Sequence, residues 1–417
     1  MYVIVGGGVA AIGAIEGIRS RDVRTPITLI CRENHPVYGR PLIAEYLKGE
    51  RSEEEIAYRE PTFYEQMKVN LLLDEEAEGV DTAARTVLLA MGERLGYKRL
   101  LLATGGKPFM PPVDGLRGPD VYTFTTLDDA KRLVAAAPNI SRAVVMGGGL
   151  IGLKVAEGLH ARGVAITIVE LAPRILSVAF DDTAGAIVLK RLETAGIEVH
   201  CNCSVAAVLR EAGGAVRAVR LNDGRELPCN AVVVAIGVVP DKRLAELGGL
   251  TMNRGIVVDA YLRTSAARIY AAGDVAEAYD LSIKGKRVMP IWPNAYLQGR
   301  VAGKNMAGAR ERFLGGLPMN SIAFHGVSTI SAGVSNPQGN GYEILQHTDP
   351  ERGSYKKMVL KRGRLVGYVL VGDVARAGLL TGLIREGVDV ASLKDRLLSA
   401  TFGYAHLPEE LRRARLA

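Results

Sequence analysis

The chain has 417 residues and a formal net charge of +7, with 48% apolar and 6% aromatic residues. This length exceeds one ordinary core, so two or three domains are expected, and the high apolar and glycine content excludes a disordered protein. An apolar run already begins at Tyr2, and no apolar run approaches the roughly 18 residues that a membrane span needs. We therefore expect a cytoplasmic protein with neither a targeting segment nor a membrane span.

The excess of basic residues is concentrated near the C-terminus. Residues 351–417 contain 13 lysine and arginine residues against 7 aspartate and glutamate residues. Such a segment is either a solvated helical face or a docking surface that steers an acidic partner. Nucleic acid is not an expected partner, because aromatic residues are not interleaved with the basic ones and no known module is present.

The first 33 residues follow the order strand, glycine-rich turn, helix, strand. A short apolar strand, Tyr2–Val5, runs directly into a turn that spans residues 6–11, and a helix is predicted to about residue 20. The second strand, residues 26–31, ends before Arg32 and Glu33. A later apolar strand, residues 100–103, closes in Thr104-Gly105-Gly106. This order is typical of a β-α-β dinucleotide-binding unit.

The same order begins again at residue 143. A strand at 143–146, a glycine-rich turn at 147–152, a helix at 153–162 and a strand at 165–169 precede Glu170. A further strand at 231–236 closes in Gly237-Val238-Val239-Pro240. The repeat predicts an α/β fold with two Rossmann-like dinucleotide-binding domains.

The pattern changes after about residue 253. Strand-like runs at 256–258 and 269–272 lead to Gly273-Asp274, and a helix is predicted from about Asn294 to Met306. Two runs at 355–360 and 365–371 flank a Lys361-Arg362-Gly363-Arg364 turn and predict a β-hairpin. We therefore expect a small α+β domain at the C-terminus.

The glycines of each turn have separate roles. Gly6 permits the tight turn, Gly8 lets the backbone approach a pyrophosphate, and the small third residue, Ala11, lets helix and strand pack. In the second copy Gly147, Gly149 and Gly152 take these positions. Two such turns, each between a strand and a helix, indicate dinucleotide binding far more strongly than one would.

The acidic residue that follows the second strand of each β-α-β unit affects which nucleotide binds. Glu170 would hydrogen-bond a ribose 2′-hydroxyl and repel a 2′-phosphate, and the next arginine, Arg174, lies further along. The second site is therefore predicted to prefer NADH to NADPH. Glu33 is expected to play the equivalent part in the first copy, although Arg32 precedes it.

The four cysteines, Cys31, Cys201, Cys203 and Cys229, form no CxxC or CxxxxC pair, so a disulfide framework is not expected. Cys201 and Cys203 lie two apart in a strand-like stretch, Ile197–Val205, and would face the same side. With His200 they suggest a metal cluster, but no fourth ligand stands at metal spacing. We predict buried thiols and no metal site.

Together, the two turns and the segments Ala103-Thr104-Gly105-Gly106, Ala235–Pro240 and Ala271-Ala272-Gly273-Asp274 resemble the pyridine nucleotide–disulfide oxidoreductase superfamily over residues 1 to about 310. The resemblance implies that the first copy binds FAD, the second binds NAD(P)H, and Asp274 contacts the FAD ribityl chain. Trp292-Pro293-Asn294-Ala295, together with Gln298-Gly299, resembles the family's stretch at the flavin, where a helix N-terminus favours reduced anionic flavin. The implied domains are an FAD domain of residues 1–115 and 253–318, an NAD domain of residues 116–252, and a C-terminal interface domain of residues 319–417.

Within that superfamily, Tyr38-Gly39-Arg40-Pro41 resembles a loop of NADH-dependent ferredoxin and rubredoxin reductases. Disulfide reductases and NADH peroxidases carry redox cysteines where this chain has none, so a thiol relay is not expected. The C-terminal part is similar to the NADH-oxidising flavoprotein subunits of phenylglyoxylate dehydrogenase and tungsten aldehyde oxidoreductase. The predicted cofactor-binding residues are Gly6, Gly8, Ala11, Glu33, Arg40, Pro41, Ala103, Thr104, Gly105, Gly147, Gly149, Gly152, Glu170, Gly237, Gly273, Asp274, Trp292, Asn294 and Ala295.

One departure from the resembled reductases concerns two charges. Those proteins place a lysine four residues after the loop proline and a glutamate two residues after the last glycine of the second turn. This chain has Glu45 and Lys154 there, with both signs reversed. We predict that Glu45 and Lys154 pair beside the flavin and gate the approach of the nicotinamide, whereas the alternative is two unrelated surface residues.

The resemblance implies an FAD-dependent NADH oxidoreductase that takes a hydride from NADH and passes electrons singly to an iron–sulfur protein or subunit. Three alternatives stay open: an NADH oxidase that makes peroxide, a small-molecule reductase, and a binding protein with a structural flavin. The sequence leaves the direction of electron flow and a homo- or hetero-oligomeric state undecided.

Overall fold

The computed structural model describes residues 1–409 and residue 412. Its strands are β1 Tyr2–Val5, β2 Ile27–Ile30, β3 Val69–Leu72, β4 Ala77–Asp81, β5 Thr86–Leu89, β6 Arg94–Gly96, β7 Arg99–Leu102, β8 Gly106–Pro108, β9 Val121–Thr123, β10 Arg142–Met146, β11 Ala165–Val169, β12 Glu198–His200, β13 Val205–Arg210, β14 Val216–Leu221, β15 Glu226–Pro228, β16 Ala231–Val234, β17 Val238–Pro240, β18 Ile256–Val257, β19 Ile269–Ala271, β20 Ala276–Asp280, β21 Gly285–Val288, β22 Met319–Phe324, β23 Val327–Gly333, β24 Glu343–Asp349, β25 Ser354–Lys361 and β26 Arg364–Val371. Its helices are α1 Val9–Arg19, α2 Ile43–Lys48, α3 Phe63–Gln66, α4 Leu127–Ala136, α5 Leu150–His160, α6 Asp182–Thr194, α7 Arg243–Leu247, α8 Trp292–Met306, α9 Ala377–Glu386 and α10 Lys394–Leu397.

The described chain divides into two compact units. The first contains residues 1–109, 125–131 and 238–316, and the second contains residues 110–124, 132–237 and those from 317 onwards. Each unit is built on a five-stranded parallel sheet, as the repeated β-α-β pattern predicts. The domain boundaries inferred from the resemblance stay predictions. Within residues 1–409, no helix is long and apolar enough to cross a membrane.

The sheet of the first unit has the strand order β19-β7-β1-β2-β3. Strand β1 is buried along its whole length and pairs in parallel with β2 and β7, which explains its continuous apolar sequence. Two smaller sheets, β4-β5-β6 and β18-β20-β21, and the ribbon β8-β17 complete this unit.

Helices α1 and α8 of the first unit pack through their backbones. A Cβ atom at Gly299 would lie 2.0 Å from the Ala10 carbonyl oxygen, and one at Gly303 would lie 2.1 Å from that of Ala14. Since both contacts advance in the same direction along the two helices, the helices are parallel. Their positive N-terminal ends therefore point the same way, toward the carboxyl edge of the sheet.

The sheet of the second unit has the order β12-β11-β10-β16-β9, with an antiparallel β13-β14-β15 sheet beside it. The C-terminal part of the same unit is an antiparallel sheet, β22-β23-β26-β25-β24, with α9 packed against β26 and β23. The predicted hairpin is confirmed as β25 and β26, and Lys361 pairs with Arg364 across its turn. The predicted fold class, two Rossmann-like units and a small α+β part, is confirmed.

A partly buried ion pair joins the C-terminal sheet to helix α6 of the second Rossmann sheet. The Lys357 ammonium lies 2.9 Å from Asp181 Oδ2, and the Tyr355 hydroxyl donates to the same oxygen at 2.8 Å. Asp181 also caps α6 by accepting from the Ala184 amide. Burial alone would raise the pKa of Asp181, but hydrogen bonds from Lys357, Ala184 and Tyr355 outweigh it and leave this pKa lowered. The carboxylate is therefore held ionised between the two elements.

The strand-like stretch predicted at Ile197–Val205 is wrong as a continuous strand. Strand β12 ends at His200, and Asn202 takes the left-handed conformation with φ of 58° before β13 begins. Consequently Cys201 and Cys203 do not face the same side as neighbours on one strand: Cys203 is buried, whereas Cys201 is partly exposed. A turn with an asparagine at positive φ interrupts the pattern that suggested an unbroken strand.

Candidate functional site: two dinucleotide turns

The predicted site residues fall in both units. Gly6, Gly8, Ala11, Glu33, Arg40, Pro41, Glu45, Ala103, Thr104, Gly105, Gly273, Asp274, Trp292, Asn294 and Ala295 lie in the first unit, and Gly147, Gly149, Gly152, Lys154, Glu170 and Gly237 lie in the second. Within each unit the structure brings the glycine turn, the end of the next strand and a helix N-terminus together.

The turn of the first unit is shaped by backbone contacts on one side and open on the other. Gly6 has φ of 118°, and a Cβ atom there would lie 2.1 Å from the Ala103 carbonyl oxygen. Gly8 is the N-cap of α1, and a Cβ atom at that position would meet nothing within 4 Å. Gly6 is thus required by packing and conformation, whereas Gly8 leaves space before a helix N-terminus, where a phosphate binds.

The second turn repeats this geometry. A Cβ atom at Gly147 would lie 2.5 Å from the Ala235 carbonyl oxygen, and one at Gly152 would lie 1.9 Å from the Gly147 carbonyl oxygen. Gly149, the N-cap of α5, again faces open space. Both turns therefore fit a dinucleotide pyrophosphate.

Glu170 is fixed beside the second turn. Its Oε2 atom accepts from the Gly148 amide at 2.6 Å, and its Oε1 atom accepts from the Ala172 amide at 2.7 Å. Arg174 is engaged elsewhere, with Asp182 at 2.9 Å and the Phe180 carbonyl oxygen at 3.1 Å. The carboxylate at this strand end thus has two backbone donors and, among the contacts of the described residues, no arginine partner.

The register of the two copies places a cysteine where the second copy has its glutamate. The Gly6 amide donates to Ile30 and the Gly147 amide donates to Val169, so Cys31 corresponds to Glu170. Burial raises the pKa of the Cys31 thiol to about 12, with a further contribution from Glu33, so this thiol is protonated at neutral pH. Such a thiol is unsuited to nucleophilic or redox chemistry.

Glu33 lies two residues further on and is held by its own neighbours. Arg40 Nη2 lies 2.7 Å from Glu33 Oε1, and the Tyr38 hydroxyl donates to Glu33 Oε2 at 2.6 Å. The second terminal nitrogen of the same guanidinium group, Arg40 Nη1, donates to the Thr125 carbonyl oxygen at 2.6 Å. This cluster fixes the loop that follows β2, and the assignment of Glu33 to a ribose stays a prediction.

Asp274 follows β19 through Ala272 and Gly273. Burial raises the pKa of its carboxyl to about 6, although the Arg40 guanidinium favours the ionised form. The Gly273 amide donates to the buried Gln298 side chain of α8 at 2.8 Å, which fixes the backbone before Asp274. A carboxyl held in this way suits a ligand hydroxyl that donates a hydrogen bond to its charged form.

We expect Asp274→Asn to stabilise flavin-free protein at pH 7.5 but not at pH 4. Because the folded-state pKa of Asp274 is raised above its ordinary value, the wild type loses stability as the pH rises through about 6. A pKa shift of this size corresponds to roughly 2 kcal/mol of unfolding free energy once the partial exposure of Asp274 is allowed for. Urea unfolding at the two pH values measures the difference in unfolding free energy between the variant and the wild type. The same difference at both pH values would contradict the expectation.

The structure adds one residue that the sequence did not single out. Glu157 on α5 accepts from the Lys154 ammonium at 2.8 Å and from the His325 amide at 3.0 Å. The spacing of Lys154 and Glu157, three apart on a helix, was the available signal. Glu45 lies in the first turn of α2 and is partly buried. The pairing of Glu45 with Lys154 stays a prediction.

The fold and the two turns define an oxidoreductase with two dinucleotide sites. The family model of pyridine nucleotide-disulphide oxidoreductases matches residues 1–299, and that of the rubredoxin NAD+ reductase C-terminal domain matches residues 318–388. The chain belongs to the pyridine nucleotide-disulphide oxidoreductase family. The predicted class, an FAD-dependent oxidoreductase that uses NAD(H), is confirmed by this membership.

Individual relatives agree with that assignment. The chain is 32% identical to the NADH-dependent phenylglyoxylate dehydrogenase subunit epsilon of Aromatoleum evansii, over 95% of this chain and 94% of the relative. It is also 32% identical to the nitrite reductase [NAD(P)H] of Bacillus subtilis (strain 168), over 93% of this chain but 48% of that protein, so it spans about half the length of this relative. The crystal structure of a ferredoxin reductase from Rhodopseudomonas palustris superposes with a TM-score of 0.84 at 29% identity, covering 90% of this chain and 92% of that one.

Proposed function

We propose that the protein is an NADH-oxidising flavoprotein that moves electrons between NAD(H) and an iron–sulfur protein or subunit. The observation that carries the proposal is the pair of glycine turns, each open at Gly8 or Gly149 and closed by packing at its other glycines. When bound, FAD supplies the hydride-accepting and electron-releasing chemistry. The family membership and the absence of a cysteine pair in the sequence support an external electron carrier.

The chain's own residues hold and orient the two cofactors in this proposal. Gly6, Gly8 and α1 would bind the FAD pyrophosphate, Asp274 would accept from the ribityl chain, and the N-terminus of α8 would stabilise negative charge on the flavin. Gly149 and α5 would bind the NADH pyrophosphate, with Glu170 on the ribose. The same residues would serve the reverse reaction, in which the protein accepts electrons from a partner and reduces NAD⁺.

Anaerobic mixing with NADH or NADPH tests the hydride half-reaction. We expect NADH to bleach the flavin absorbance near 450 nm and NADPH to do so much more weakly. Replacing Glu170 by Gln removes the charge but keeps a hydrogen-bonding group. This change should reduce the preference for NADH over NADPH by about tenfold. No bleaching by either nucleotide would overturn the proposal and favour a structural flavin.

We further propose that Glu45 and Lys154 form the pair beside the flavin. Lys154 is largely buried, with 13% of its side chain exposed, and its ammonium is bound by Glu157. Glu45→Gln and Lys154→Gln should each slow flavin reduction about tenfold because each removes one charge of the pair, and the double variant should lose little more than either single variant. Independent, additive losses in a double-mutant cycle would argue for two unrelated residues.

The predicted docking of the partner on residues 351–417 also stays a proposal. Two of its basic residues, Lys356 and Lys357, are buried and paired with Asp373 and Asp181. Residues 410, 411 and 413–417, which include the two arginines Arg413 and Arg415, lie outside the described residues. The exposed basic residues of the segment, such as Arg362 and Arg385, are the ones to vary.

A further inference from the structure

A group of apolar side chains is exposed around the hairpin formed by β20 and β21. Tyr279 is 38% exposed, Ile283 in the turn is 50% exposed, and Leu314 is 80% exposed. The segment that carries Leu314 pairs with β20, since the Leu281 amide donates to Gly316 and the Gly316 amide donates to Tyr279. Single exposed apolar residues are common, but three on one hairpin and the segment paired with it form a candidate interaction surface.

Basic residues flank these apolar side chains. The hairpin and the segment paired with it, residues 279–291 and 307–316, contain five lysine and arginine residues against two acidic residues, Asp280 and Glu311. Both acids are already engaged, because Asp280 is buried and pairs with Arg287, and Glu311 pairs with Lys304 at 2.7 Å. We call Tyr279, Ile283, Lys284, Lys286, Arg312 and Leu314 the hairpin patch.

The hairpin patch adjoins the residues predicted to contact the flavin. Strand β20 begins two residues after Asp274, and β21 leads through Met289 into α8. A Cβ atom at Gly316 would lie 2.6 Å from both Asn294 Nδ2 and Met289 Cε, so the Leu314 segment packs directly on the first turn of α8. Electrons that leave a flavin held by Asp274 and α8 would therefore emerge near this surface.

We infer that the hairpin patch is the docking surface for a small acidic iron–sulfur protein, an inference that rests on the proposed function. Exposed aromatic and aliphatic side chains supply the apolar centre of such an interface, and the lysine and arginine rim orients an acidic partner. One NADH reduces two oxidised one-electron carriers, giving NAD⁺, two reduced carriers and a proton. Two successive docking events at this surface complete one turnover.

Charge reversal at the patch tests the inference. We would compare Lys284→Glu/Lys286→Glu with a matched C-terminal variant, Arg362→Glu/Arg385→Glu, using rubredoxin and a [2Fe–2S] ferredoxin as acceptors. The hairpin variant should raise the KM for at least one carrier about tenfold and weaken its dependence on salt, while flavin bleaching by NADH is unchanged. Leu314→Ser should raise the same KM about threefold without altering the salt dependence.

The outcomes separate the two hypotheses. A hairpin variant with the wild-type KM, whether or not the C-terminal variant is impaired, would overturn the inference but leave the proposed function standing. Wild-type protein that NADH bleaches but that reduces neither carrier would overturn the proposed acceptor class and the docking surface together. Absence of bleaching in the wild type would instead remove the proposed function itself.

Discussion

Replacing Gly299 by Ala is expected to cost the protein about 3 kcal/mol of unfolding free energy and most of its bound flavin. The new Cβ atom would lie 2.0 Å from the Ala10 carbonyl oxygen, a contact with backbone that no side-chain rotation relieves. Separating α8 from α1 would also move the two helix N-termini that we propose hold the flavin. Urea unfolding and the ratio of flavin to protein absorbance measure the two effects.

Gly378→Ala is the matched control. Gly378 also lies within a helix, α9, but is exposed, and a Cβ atom there would meet nothing within 4 Å. This variant should be equal to or more stable than the wild type by up to about 1 kcal/mol, since alanine favours helix. If Gly299→Ala behaved like this control, close packing of α1 against α8 would not be what positions the flavin site.

Replacing Gly149 by Val is expected to leave a folded, yellow protein that NADH can no longer bleach. Gly149 has φ of −82°, which any residue adopts, and its Cβ position faces open space. The valine side chain would fill the volume before the N-terminus of α5, where the pyrophosphate is proposed to bind. We expect the Kd for NADH to rise about 100-fold or more, which corresponds to roughly 3 kcal/mol.

Two comparisons sharpen this test. Gly8→Val is the equivalent change in the first turn and should abolish flavin retention instead. Gly152→Ala should destabilise the second unit, because its Cβ atom would lie 1.9 Å from the Gly147 carbonyl oxygen. A Gly149→Val protein with the wild-type Kd for NADH would show that the nucleotide does not cross this turn.

The local pattern predicted the Rossmann elements closely because strand, glycine turn and helix are adjacent in sequence. Residues 2–5 and 165–169 were predicted as strands with the limits that β1 and β11 have. The helix after the second turn begins at Leu150 rather than at residue 153, because Gly149 is already its N-cap. Residues of a glycine-rich turn that also begin a helix are easily assigned to the loop when only the sequence is known.

The local sequence pattern could not predict contacts between residues that are distant in the chain. Nothing in the periodicity connects Asp181 with Tyr355 and Lys357, or Gly273 with Gln298, since each contact depends on how complete elements pack. The equivalence of Cys31 with Glu170 likewise required the strand register. Glu33 was the predicted counterpart of Glu170 because an acidic residue is expected after the strand, whereas hydrogen bonds from the Gly6 and Gly147 amides define the corresponding positions.

The partly buried contact of Asp181 with Lys357 and Tyr355 limits how this protein could be re-engineered or could have recombined. A chimera that receives the terminal sheet of another family member while keeping this α6 would leave a partly buried carboxylate unmatched, unless the donor sequence also supplied a cation and a hydroxyl at the two positions on β25. Exchange of that sheet to change partner choice should therefore succeed either when the donor sheet carries that cation and hydroxyl or when the residue that caps α6 is exchanged with it.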